Sequence, residues 1–158
     1  MNYFNKLKKK INSKKAIISV IGLGYVGEAL IKKFSKEGFS TIGIDYDKNK
    51  LRKFSKKSDM VLSDDYKFLE RADVIIIAVP TPLTKKLTPD LSFIKSVIKK
   101  SDRFLKKGQL ISLESTTYPG TTEELFRSFL INKKFNLSED FFLVYSPERI
   151  SPELKIKD

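Results

Sequence analysis

Gly22-Leu23-Gly24-Tyr25-Val26-Gly27 has the spacing G-x-G-x-x-G. Glycines so spaced let a chain turn tightly and bring backbone N–H groups close to a phosphate, the chemistry of a dinucleotide loop. Glycine-rich turns with no ligand share the pattern, so the flanks decide. Ala16–Ile21, before the motif, is a short run of isoleucine and valine, as expected of a strand buried on both faces. Tyr25–Glu37, after it, repeats Val26, Leu30 and Phe34 every four residues with Lys32, Lys33 and Lys36 between them, the pattern of an amphipathic helix. Between such a strand and helix, Gly22 serves the tight turn, Gly24 the approach of a pyrophosphate, and Gly27 the packing of helix on sheet. The N–H groups that open the helix then face the phosphates.

Such a site also needs an acid at the end of the following strand, about 20 residues on. "TIGIDYDKNK" supplies Asp45. A carboxylate there accepts hydrogen bonds from ribose hydroxyls and repels a 2′-phosphate, which favours NAD over NADP. Asp47 lies past the strand and suits a helix cap better. Three later stretches fall at strand ends, where ligands bind in open α/β sheets: "VPTPL" (Val79–Leu83), "ESTTYPG" (Glu114–Gly120) and "YSPER" (Tyr145–Arg149). Pro80 and Pro82 fix the backbone around Thr81. Ser115 and Thr116 place two hydroxyls at the sheet edge, though both also suit a turn before Pro119-Gly120. Glu148 and Arg149 read equally as a surface ion pair.

The chain has no cysteine and no histidine. That removes disulfides, cysteine metal sites, a thiol nucleophile and a histidine base. No metal site is expected. The net charge of +12 raises nucleic-acid binding. Against it, lysine far outnumbers arginine, the lysines are spread along the chain, and no nucleic-acid-binding signature accompanies them. Specific nucleic-acid binding is not expected. The N-terminal "MNYFNKLKKKINSKK" lacks the apolar stretch of a signal peptide, and no apolar run is long enough to cross a membrane. The expected location is cytoplasmic.

Strands are expected at Ala16–Ile21, Thr41–Ile44, Met60–Ser63, Val74–Val79, Gln109–Leu113 and Phe141–Tyr145. Helices are expected at Tyr25–Glu37, Asp47–Ser55, Tyr66–Arg71, Leu91–Leu105 and Thr121–Phe129, the last opened by a capping box of Thr121 and Glu124. This alternation implies an α/β fold, a Rossmann-like doubly wound parallel sheet of about six strands. The organisation expected is a basic N-terminal extension (1–14), an NAD-binding Rossmann domain (15–150) and a tail (151–158) that should continue into something else.

"VIGLGYVG", "GIDYD", "VPTPL", "LESTTYPGTTEE" and "VYSPER", in this order, resemble the UDP-glucose/GDP-mannose dehydrogenase family, and most of all its UDP-N-acetylglucosamine 6-dehydrogenase branch. The resemblance runs from Lys15 to Pro152. It implies a nucleotide-sugar 6-dehydrogenase that oxidises the C6 alcohol of a UDP-hexose or UDP-N-acetylhexosamine to a carboxylate, with NAD, for polysaccharide precursors. It places Gly22, Gly24 and Gly27, with Tyr25 and Val26 between them, at the pyrophosphate. Asp45 would hold the adenosine ribose with Lys50 nearby, and Thr81 and Thr116 would line the cofactor cleft. Thr116 and Glu148 would lie near the reacting carbon and assist a water. The family continues into a central helix, a substrate domain and a catalytic cysteine, none of which is in these 158 residues. The segment between Asp45 and Val79 is shorter than is usual in the family, and Glu28 and Glu153 replace an apolar residue and a glycine.

Two functions follow. One is the NAD-binding portion of a UDP-sugar dehydrogenase, truncated and inactive alone, taking a UDP-sugar only with its missing half. The other is a free-standing NAD-binding or regulatory module. With that half missing, Phe141, Phe142, Leu143 and Val144 should expose an apolar face and favour self-association.

Overall fold

The computed structural model describes residues 2–54 and 60–147. Six strands form one parallel sheet: β1 (Ile17–Ile21), β2 (Ser40–Ile44), β3 (Met60–Ser63), β4 (Val74–Ile77), β5 (Leu110–Leu113) and β6 (Phe142–Tyr145). Their order is β3-β2-β1-β4-β5-β6. The chain winds outward from β1 to β3, then crosses back to β4 on the other side of β1. The crevice at that reversal, between the carboxyl ends of β1 and β4, is where such sheets take ligands. The doubly wound fold is thus as expected.

Both faces of the sheet are covered, which is why its central strands are nearly all isoleucine, valine and leucine. Five helices do the covering: α1 (Tyr3–Asn12), α2 (Tyr25–Lys36), α3 (Lys48–Arg52), α4 (Ser92–Ser101) and α5 (Thr121–Lys133). On one face Ile21, Ile75, Ile77 and Ile111 pack with Ile94 and Val97 of α4 and Phe126 and Phe129 of α5. On the other, Ile18, Val20 and Ile76 pack with Leu7 of α1 and Ile31 of α2. Between elements, Gln109 is buried, and its Nε2 donates to the carbonyls of Leu69 and Ala72, both at 2.8 Å.

Several element ends differ from expectation for local reasons. β4 stops at Ile77, not Val79, because β1 ends at Ile21 and offers only one more acceptor, the Ile21 carbonyl, to Ala78 N–H at 2.9 Å. Helix α4 ends at Ser101 and tightens into a 3-10 turn, Asp102–Phe104. Helix α3 begins after Asp47, whose side chain accepts from Asn49 N–H at 2.9 Å as a cap, and ends at Arg52, short of the expected Ser55, which lies outside the described residues. The expected capping box does not form. Gly120 is the cap of α5, Thr121 Oγ1 donates to the Tyr118 carbonyl, and Glu124 accepts the Tyr118 hydroxyl at 2.9 Å.

The N-terminal stretch is a helix rather than only a basic extension. Asn2 caps α1 by accepting from Asn5 N–H at 3.0 Å. Tyr3, Leu7 and Ile11, four apart, turn inward while the lysines face out. Phe4 meets Phe142 edge-on at 6.0 Å, and Lys10 pairs at 2.6 Å with Asp73, which also accepts from Ile17 N–H. This changes the expectation for the last strand. Phe141 is in the core, Phe142 is covered, Leu143 is half-buried, and only Val144 of the four is exposed. Leu7→Ala should therefore cost about 2–5 kcal/mol and lower Tm by about 4–20 °C in a circular-dichroism melt. An unchanged Tm would mean that α1 does not brace the sheet.

Candidate cofactor-binding site

Gly22 ends β1 with φ +91°, a backbone conformation that side chains resist. A Cβ there would also lie 2.7 Å from the Ala78 carbonyl oxygen. The turn therefore presses against the exit of β4, and only glycine fits. Gly24 caps α2 with an extended backbone, and a Cβ at Gly24 would meet nothing within 4 Å. No protein atom requires glycine there, so the open space above it is room a ligand can use. Gly27 is different. It is buried, does not line the cleft, and a Cβ on it would sit 1.8 Å from the Gly22 carbonyl oxygen. Gly27 thus has the packing role its spacing allowed.

The cleft beside this turn has a volume of about 440 Å³, within the roughly 300–1,000 Å³ of small-molecule and cofactor sites. Of the expected residues, Gly22, Gly24, Tyr25, Val26, Asp45, Lys50, Thr81 and Thr116 all line it. Glu148 lies outside the described residues, as does Arg149. Helix α2 begins at Tyr25, so its first-turn N–H groups have no acceptor within the helix and carry the positive end of its dipole.

Asp45 is buried, only 5% exposed. Its Oδ2 accepts from Leu23 N–H at 2.7 Å, and its Oδ1 accepts from Asp47 N–H at 2.9 Å. Lys50 Nζ lies 3.4 Å from the same Oδ2. The acid thus anchors the middle of the glycine loop while one edge faces the cleft. At the other end, the exits of β4, β5 and β6 are tied together. Thr81 Oγ1 donates to the Thr116 carbonyl at 2.8 Å, Ser115 Oγ to the Val79 carbonyl at 2.7 Å, and Thr117 N–H to the Tyr145 hydroxyl at 3.1 Å. Thr116 itself is exposed at the mouth.

The sequence reading missed one wall of the cleft. Tyr66, Phe93, Ser96, Val97 and Lys100 line it from the turn after β3 and from α4. Burial, aided by the Asp45 charge, pushes the Tyr66 phenol up to about 12. A hydrophobic period on α4 was legible, but nothing local says that Phe93, Ser96, Val97 and Lys100 border a cleft. Among the described residues, no cluster of three or more acidic, histidine or cysteine side chains could hold a metal, and no helix is long and apolar enough to cross a membrane.

Comparison with known proteins agrees with this geometry. The chain is 35% identical over 153 residues to UDP-N-acetyl-D-glucosamine 6-dehydrogenase of Pseudomonas aeruginosa, covering 85% of this chain and 36% of that one. It is 32% identical over 183 residues to UDP-N-acetyl-D-mannosamine dehydrogenase of Campylobacter jejuni, covering 100% of this chain and 42% of that one. A solved structure of the UDP-N-acetyl-mannosamine dehydrogenase Cap5O from S. aureus superposes with a TM-score of 0.78 at 30% identity, over 87% of this chain and 37% of that one. The chain thus spans well under half the length of these relatives. The profile of the UDP-glucose/GDP-mannose dehydrogenase family, NAD binding domain, matches residues 16–158. The chain belongs to that family, and what it carries of it is the NAD-binding domain.

Proposed function

We propose that the cleft holds NAD with its pyrophosphate against Gly22, Gly24 and the N–H groups of Tyr25 and Val26. The adenosine ribose lies at Asp45 and Lys50, and the nicotinamide points toward Thr81 and Thr116. The observation that carries this reading is the Asp45–Leu23 hydrogen bond, which makes the acid and the glycine loop one unit, beside the unfilled space over Gly24. When bound, NAD supplies a hydride acceptor. The chain's own residues bind and orient it, and Thr116, at the open mouth, is placed to hold a water or a substrate hydroxyl near the reacting end. Glu148 is proposed to assist there by family resemblance alone.

The corresponding activity is that of the NAD-binding portion of a UDP-sugar 6-dehydrogenase. The relatives act, by name, on UDP-N-acetylglucosamine and UDP-N-acetylmannosamine, so a UDP-N-acetylhexosamine is the proposed substrate class. It is taken only together with the remainder that the relatives possess, in the cytoplasm, for polysaccharide precursors.

Calorimetric titration tests the cofactor assignment. The wild type should bind NAD more tightly than NADP. Asp45→Ala should weaken NAD binding about ten- to a hundredfold, as loss of a charge-assisted hydrogen bond costs roughly 1.5–3 kcal/mol. Asp45→Asn keeps an acceptor for Leu23 N–H but loses the charge, so it should erase the bias against NADP with a smaller loss of NAD affinity. Equal wild-type affinity for both cofactors would overturn the assignment.

A further inference from the structure

We propose that Tyr66 is a further cofactor-binding residue of this site: its ring is the end wall against which the purine base of the cofactor packs. This rests on the NAD reading of the cleft and extends it to the base. In that reading Asp45 holds the adenosine ribose, and Tyr66 lines the same cleft as that carboxylate. From there the surface divides. On the near side the apolar Ile44, Phe93 and Val97 stand in the wall beside the charged Asp64 and Lys100. On the far side is a wider depression of about 890 Å³ walled by Asp64, Asp65, Lys99, Asp102 and Arg103.

Tyr66 lines both hollows and is the ridge between them, shared with Asp64, Ser96 and Lys100. A flat, weakly polar base gains by burial against the apolar side and gains little among solvated charges. The ring is held in place from two elements. The turn after β3 is fixed by Asp65, which accepts from Lys67 N–H at 2.8 Å and gives its own N–H to Ser63 Oγ at 3.0 Å. From α4, Lys100 reaches over the ring, with Nζ 5.8 Å from its centroid. A preorganised aromatic wall costs little order on binding. Its surface is indifferent to the base's exocyclic group, so the hypoxanthine analogue of NAD should bind like NAD.

The test is calorimetric titration of the full chain with NAD, ADP-ribose and nicotinamide mononucleotide. Tyr66→Ala should weaken NAD and ADP-ribose by roughly fivefold to a hundredfold, the range for loss of an aromatic–base contact, and leave nicotinamide mononucleotide unchanged. Tyr66→Phe, which keeps the ring, should bind all three as the wild type does. Tyr66→Leu keeps apolar bulk without the ring and should follow Tyr66→Ala, which covers the case in which the alanine variant fails to fold. Unchanged ADP-ribose affinity in Tyr66→Leu, or an equal loss for nicotinamide mononucleotide, would overturn the proposal. So would a Tyr66→Phe variant as weak as Tyr66→Ala. A wild type that binds neither NAD nor ADP-ribose would instead sink the NAD reading itself, and this inference with it.

Discussion

Incubated with saturating NAD and either UDP-glucose or UDP-N-acetylglucosamine, these 158 residues should form no uronic acid beyond the blank. The reaction that the family resemblance implies passes through an aldehyde, which a thiol must capture, so that a second oxidation yields a thioester for hydrolysis. A thiolate suits this route because it is strongly nucleophilic near neutral pH. The chain has no cysteine, and no histidine to activate a hydroxyl in its place. The hydroxyls at the cleft are poor substitutes. Ser115 is buried with its Oγ committed to the Val79 carbonyl, and Thr81 donates to the Thr116 carbonyl. Thr116 is exposed, but the nearby carboxylate of Glu114 already accepts from Ser112 Oγ at 2.6 Å. NADH absorbance and uronic acid analysis are the readouts, with a full-length relative as positive control. Sustained uronic acid formation by the isolated chain would refute the expectation.

Gly27→Ala should cripple the domain although Gly27 does not line the cleft. The added methyl would lie 1.8 Å from the Gly22 carbonyl oxygen and 3.3 Å from Val20 Cγ1. The nearest obstacle is backbone, not a side chain that can swing aside. Helix α2 must lift from the sheet, or the turn must open. Overpacking in a core costs about 1–3 kcal/mol when side chains can adjust; with backbone in the way, the expected cost is about 3 kcal/mol or more, a fall in Tm of roughly 6–12 °C. NAD affinity should fall with it, because the N–H groups at the start of α2 move with the helix. Gly24→Ala provides the contrast. It should leave Tm nearly unchanged, as its Cβ meets nothing within 4 Å, and weaken only cofactor binding. A Gly27→Ala variant as stable and as tightly NAD-binding as the wild type would refute this.

Much of this protein is determined by short-range pattern. The alternation of isoleucine-rich runs with four-residue periodicities sets the parallel sheet, because a strand covered on both faces must be apolar at every position. The run from Gly22 to Gly27 and Asp45 mark the candidate cofactor site, since turn geometry and the register of β1 against β2 bring them together over one strand pair: Ile21 lies beside Ile44, so the residues just past each strand must meet. Helix α1 is also written in the sequence, in Asn2 and the four-residue spacing of Tyr3, Leu7 and Ile11, although its lysines equally suit a solvated basic extension. Other features arise only on folding. The capping role of Thr121 is lost because Gly120, in a left-handed conformation, takes the cap and leaves Glu124 for Tyr118. The motif already separates Gly24, for ligand approach, from Gly27, for packing, but how closely α2 docks decides that the Cβ position of Gly27 is filled by the Gly22 carbonyl while that of Gly24 faces open space. Tyr66 and Lys100 are far from the glycine motif in sequence and belong to elements with no local mark of function. They reach the cleft only because the strand order sets β3 and α4 at its far end, and that order is a property of the whole sheet rather than of any segment.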